Sequence, residues 1–143
     1  MAGPYNAVRN SLGIDTLSFA GFVAVGIGAA LGAWLRWLLS VAMNPWLPGL
    51  PLGTLTANLV GGYLIGAAVE LLGLRAGLPP EIRLFAITGF LGGLTTFSTF
   101  SAEAAGLLQH GQWAWVVALL AAHVVGSIAL TFAGIATVRA LIA

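Results

Sequence analysis

The chain has 143 residues, room for one domain, and 59% of them are hydrophobic against 6% charged, with a mean hydropathy of +1.02. Soluble domains carry about 25% charged residues, so this composition excludes a water-facing surface and implies a lipid-facing one. The net charge of +1 rests on five Arg and no Lys, which leaves no basic patch for nucleic acid, and the absence of Cys removes disulfides, thiol chemistry and Cys-ligated metals.

Residues 1–18, with Arg9 and Asp15, read as a polar lead-in, and 19–143 as a four-helix transmembrane domain. About 20 residues of helix cross the hydrocarbon core, and four segments reach that length. The first runs from about Phe19 to Ala42; it is too long for the apolar part of a cleaved signal and has no small-residue cleavage site at its end, so it reads as a retained helix. Asn44-Pro45 and Pro48-Gly49-Leu50-Pro51 close it, and the second runs from about Gly53 to Gly73. Arg75, Pro79-Pro80, Glu81 and Arg83 form the next junction, with the prolines placed for a helix start. The third segment spans about Ile82 to Leu108. Gln109-His110-Gly111-Gln112 separates it from a fourth, about Trp113 to Leu141.

Trp37, Trp46, Trp113 and Trp115 fall near helix ends, where indoles favour the headgroup region. Arg9, Arg75, Arg83 and Arg139 lie on the N-terminal side and Arg36 toward the other, a modest bias for a cytoplasmic N-terminus.

Polar residues within the spans carry most of the information, because Leu or Val would insert more cheaply. Gly28 and Gly32 have the small-xxx-small spacing of close helix packing, with Arg36 on the same face expected to snorkel to the interface. No Lys and no Arg is therefore expected at mid-membrane. In the second segment Asn58, Gly62 and Gly66 share a face. A buried Asn by default bonds a neighbouring helix, but its NH2 is also an uncharged donor.

The third segment holds the least ordinary stretch, Thr88-Gly89-Phe90-Leu91-Gly92-Gly93-Leu94-Thr95-Thr96-Phe97-Ser98-Thr99-Phe100-Ser101. Paired glycines followed by Thr and Ser support a continuous helix poorly, so a backbone break is expected from Gly92 to Thr95. Carbonyls freed at membrane depth need a partner, and a bound cation is one; with no carboxylate in the stretch and hard oxygen ligands, sodium is the expected ion. Phe97 and Phe100, at i, i+3, share a face. Aromatic edges can meet an anion, although such a pair is more often ordinary packing. Glu103 is the carboxylate well inside a span, open to protonation, pairing or function. In the fourth segment His123, Ser127 and Thr131 make one polar stripe, which reads as the lining of a path although Ser and Thr can also bond their own i−4 carbonyls.

Three stretches carry a family resemblance: Gly28-Ala29-Ala30-Leu31-Gly32-Ala33-Trp34-Leu35-Arg36; Gly53-Thr54-Leu55-Thr56-Ala57-Asn58 with Gly61-Gly62; and, most specific, Gly89 through Phe100. In this order they resemble the small fluoride channels of the Fluc, or CrcB, family, over nearly the whole chain from Phe19 to Leu141. The resemblance implies a homodimer of two antiparallel subunits in a bacterial inner membrane, passing fluoride passively through two pores. It implies Asn58 at each pore, Phe97 and Phe100 as an aromatic box, Ser127 in a polar track of the last helix, and carbonyls of Gly92 and Thr95 holding a structural sodium ion at the dimer centre. His123 and Thr131 join the pore-lining candidates through the stripe. A tightly hydrated anion needs donors in place of its water without a fixed charge that would trap it, and Asn, Ser and Thr suit that need.

Two other classes compete. A small four-helix proton-coupled multidrug exporter has the same size, but its first helix should carry a carboxylate and this one has none. An intramembrane enzyme would need more than Ser127 near His123, since no third orienting group accompanies them. The expectation is therefore a channel and not an enzyme.

Overall fold

The computed structural model describes residues 17–47, 49–74 and 78–143. The lead-in expected over 1–18 lies outside them except for Leu17 and Ser18, as do Pro48 and Arg75. Among the described residues the ordered structure is entirely helical.

Helix α1 (Phe19–Met43) starts where Ser18 accepts a hydrogen bond from the Gly21 N–H (2.9 Å), and it runs into a short 3₁₀ turn, Asn44–Trp46, at Pro45. Helix α2 (Leu52–Leu74) has its first N–H groups covered from across the loop, where Asn44 Oδ1 accepts from Gly53 N (2.8 Å). The third span opens at Pro80 with α3 (Pro80–Arg83), continues as a π-helical stretch over Leu84–Leu91 and ends in α4 (Gly92–Leu94). Thr95 and Thr96 are extended, at φ −80°, ψ 153° and φ −151°, ψ 120°. Helix α5 (Phe97–Gln109) then completes the span, and α6 (Trp113–Ile142) follows a turn at Gly111, whose φ is 68°.

Four spans, Phe19–Trp46, Leu52–Leu74, Pro80–Gln109 and Trp113–Ile142, are long and apolar enough to cross a membrane. Large apolar side chains such as Phe22, Trp37, Val125 and Phe132 are exposed on the outside, as a lipid-facing surface requires.

Glycine sets how the spans meet. A Cβ on Gly28 or Gly32 would run into the carbonyls of Phe85 and Phe90, and one on Gly93 into that of Ala29, so α1 and the first half of the third span pack backbone to backbone. The same happens between α2 and α6: Gly62 faces the Ser127 carbonyl and Gly66 that of Thr131. Asn58 meets His123 one turn before, and Glu70 pairs with Arg139 (3.0 Å) near the far end. Helices α2 and α6 therefore run parallel with their two sequence stripes in register.

The break falls at the C-terminal edge of the expected stretch. Gly92 and Gly93 stay helical, and the β-branched Thr95 and Thr96 carry the extended backbone. The expectation for Arg36 is corrected. Its Nε donates to the carbonyl of Gly93 (3.1 Å), near the middle of the third span, so a cationic side chain does reach mid-membrane. The acceptor is a carbonyl in the last turn before the break, which helix bonding leaves short of donors and a guanidinium can cover.

Candidate functional site

The two halves of the third span close differently. On the first, Thr95 gives both its N–H (3.0 Å) and its hydroxyl (2.9 Å) to the Leu91 carbonyl. On the second, the Thr96 hydroxyl caps α5 by accepting from Thr99 N (3.1 Å). The backbone of Thr96 has no helical partner and is met from α2 by Asn58. The Thr96 N–H can only donate, so the Asn58 oxygen faces it at 2.7 Å; the amide NH2 then donates to the Thr96 carbonyl (3.0 Å) and faces His123 Nδ1 (3.0 Å). A lone side-chain amide thus replaces the lost backbone bonds at membrane depth.

Asn58, Phe97, Phe100, His123, Ser127 and Thr131 all line one cavity of about 530 Å³, and Gly92 and Thr95 border it too. The candidates from three spans are brought together. Their states differ. The Phe97 and Phe100 rings lie 5.4 Å apart at 57°, yet Phe100 is 6% exposed, packed with Ala104 and Leu119, while Phe97 is 78% exposed. His123 is buried at 5% exposure and stacks on Phe100, with centroids 4.7 Å apart. The Thr131 hydroxyl donates to the Ser127 carbonyl (2.9 Å), the i−4 bond that competes with lining a path. The Ser127 hydroxyl makes no hydrogen bond among the described residues.

One turn before Asn58 on α2, the Thr54 hydroxyl donates to Glu103 Oε1 at 2.6 Å, while Glu103 Oε2 is buried without a partner. This pairing answers one of the roles left open for Glu103. Thr54 was not singled out by sequence reasoning, although its spacing of four from Asn58 places it on the same face. From sequence Arg36 is expected to snorkel, and only the packing of α1 on the third span reveals its partner, the Gly93 carbonyl.

No cluster of three His, Cys, Asp or Glu exists among the described residues, so any cation here would rest on carbonyl oxygen. The carbonyls of Gly92 and Thr95 carry no hydrogen bond beyond regular helix bonding among the described residues, and Gly92 is exposed. That of Gly93 is taken by Arg36.

Four apolar spans, the third broken at mid-depth and sealed by one amide beside a cavity of neutral donors and two phenyl rings, define a small polytopic membrane protein of the ion-conducting kind. The chain belongs to the family described as "CrcB-like protein, Camphor Resistance (CrcB)", whose pattern matches residues 23–135. It is similar to proteins named "Fluoride-specific ion channel FluC": 62% identical over 116 residues to that of Nitrosospira multiformis, covering 81% of this chain and 91% of the relative. The FluC of Cupriavidus metallidurans is 60% identical over 121 residues, 85% of this chain and 96% of the relative. That of Burkholderia thailandensis is 55% identical over 125 residues, 87% of this chain and 98% of the relative.

Proposed function

We propose that this chain is the subunit of a fluoride-selective channel that exports fluoride passively, as a multi-pass protein of a bacterial inner membrane. The observation that carries the reading is the cavity at the break, where Asn58, His123 and Ser127 supply neutral polar groups beside the Phe97 and Phe100 rings. Arg36 stays off this wall, bonded to Gly93. Neutral donors replace part of the hydration shell of a small anion and release it again, whereas a ring of Arg would hold it and admit other anions. The relatives' name supports fluoride as the ion. The multidrug exporter loses its support, since those relatives are named as channels and Glu103 is tied to Thr54 in a different span from the one such an exporter would use.

In the working assembly two copies sit antiparallel in lipid, and the exposed Phe97 enters a pore formed with the partner. Each chain contributes the carbonyls of Gly92 and Thr95 to a structural sodium ion at the centre. Their donor set fits a hard monovalent cation, and a methyl group added at Gly92 would find its nearest neighbour only at 3.8 Å, which leaves room beside it. Bound there, the ion would supply a positive charge that holds the two chains together.

Liposomes loaded with fluoride test the conduction: release to a fluoride electrode without comparable chloride release is expected, and equal chloride flux or none of fluoride overturns the reading. Because the chain has no Cys, a single Cys placed at Gln112 tests the orientation; an impermeant thiol reagent should label about half the molecules from outside if insertion is dual. Labelling of all or none would rule out the antiparallel pair.

A further inference from the structure

The carbonyls of the break are shared out unevenly. In an unbroken helix the Gly92 carbonyl would take the Thr96 N–H and that of Thr95 the Thr99 N–H, but the first N–H goes to Asn58 and the second to the Thr96 hydroxyl. Gly92 and Thr95 both border the cavity. Gly93, beside Gly92, packs instead against α1, where a Cβ would strike Ala29, and its carbonyl takes the Arg36 Nε (3.1 Å). The other N–H groups of this half-buried guanidinium find no acceptor among the described residues. Lipid cannot meet them, and a charged side chain kept inside a span marks a place where ions are handled.

We propose that Arg36 is the fixed cation of the break: it holds the Gly93 carbonyl permanently and limits the exchangeable ion at the Gly92 and Thr95 carbonyls to a single positive charge. The inference rests on the sodium site of the reading above. Repulsion from a fixed charge grows in proportion to the charge of the ion, so a divalent cation meets twice what sodium meets, and a two-fold assembly doubles both through the second copy's guanidinium. No cluster of acidic groups among the described residues offsets it. The bond to Gly93 sets where this charge stands, one residue from a carbonyl offered to the ion.

Size-exclusion chromatography of the full-length protein in detergent tests this, with N-methylglucamine chloride replaced stepwise by sodium chloride, or by calcium chloride, at constant ionic strength. Wild type and Arg36→Lys, which keeps the charge, should form the dimer with sodium and not with calcium. Arg36→Gln, which keeps an N–H donor and drops the charge, should reach half-dimer at about tenfold less sodium or lower, and should form the dimer with calcium too. Calcium assembling the wild type, or Arg36→Gln matching the wild type in both titrations, overturns the charge limit and leaves the sodium site standing. So does an Arg36→Gln chain that no sodium concentration assembles, since Arg36 would then hold the site together instead of limiting it. A wild-type dimer indifferent to sodium overturns the site and the inference together.

Discussion

Asn58 and Thr96 meet through two hydrogen bonds, 2.7 Å from the Thr96 N–H to Oδ1 and 3.0 Å from Nδ2 to the Thr96 carbonyl, so one side chain satisfies both polar groups of a residue that no helix serves.

Removing that amide should cost both stability and conduction. Asn58→Ala strands the two Thr96 groups, at about 1–3 kcal/mol for each buried group left unpaired. Asn58→Asp keeps an acceptor for the N–H but loses both donors and places a negative charge beside the anion's path. Both variants are expected to reduce fluoride efflux, with the larger drop in thermal midpoint for Ala. Wild-type efflux in both would make Asn58 a packing residue only.

The glycine contacts predict opposite outcomes at two positions. Gly32→Ala drives a Cβ into the Phe90 carbonyl and must push α1 off the third span, with a clear loss of thermal stability. Gly106→Ala, inside α5 with nothing within 4 Å, should be neutral or stabilise by about 0.4–1 kcal/mol. Thermal unfolding of the two proteins in detergent separates these outcomes, and equal midpoints would contradict the packing described.

The two phenyl rings should also part company. Phe100→Ala opens a cavity among Ala104, Leu119 and His123 and should cost about 3–5 kcal/mol. Phe97→Ala, at a side chain 78% exposed in the single chain, should leave the subunit folded while lowering fluoride efflux. Circular dichroism melts alongside efflux rates check the pair; matched melts would mean that Phe97 is buried as deeply as Phe100 in the assembly.

Gly92 probes the cation. Its own chain offers no obstacle to a methyl group, so Gly92→Ala should fold, while Gly92→Val strains the helical end just before the break. Thr95→Ser keeps the carbonyl and should conduct. Dimer stability followed by size-exclusion chromatography in sodium, and again with sodium replaced by a large organic cation, should fall on replacement in wild type and Thr95→Ser. A dimer insensitive to sodium would refute the carbonyl site.

The four spans were legible because an apolar run of about 20 residues has few other readings, and because Pro and Gly clusters mark their ends. The observed bounds Phe19–Met43 and Leu52–Leu74 lie within a residue or so of those expected. The break was legible in kind. Its position was drawn to the paired glycines, yet a run of Thr whose second member caps the following helix was the better local signal. Nothing in Leu84–Leu91 announces π winding, since its residues would serve an α-helix equally well, and the stretch lies against α1. The partners of Arg36, Thr54 and His123 depend on which helix lies opposite at what height, which a periodicity along one helix does not encode.

The third span is gripped by different neighbours on either side of its break. Before it, the π stretch and Gly92–Leu94 lie on α1; after it, α5 leans on α6. The third span thus changes neighbours across one extended link at Thr95–Thr96, held just before it by Arg36 on Gly93 and at the link itself by Asn58 on Thr96. A link with so little helical structure would then exchange its Thr96 amide hydrogen slowly, as a well-formed helix does, for as long as the Asn58 pin holds.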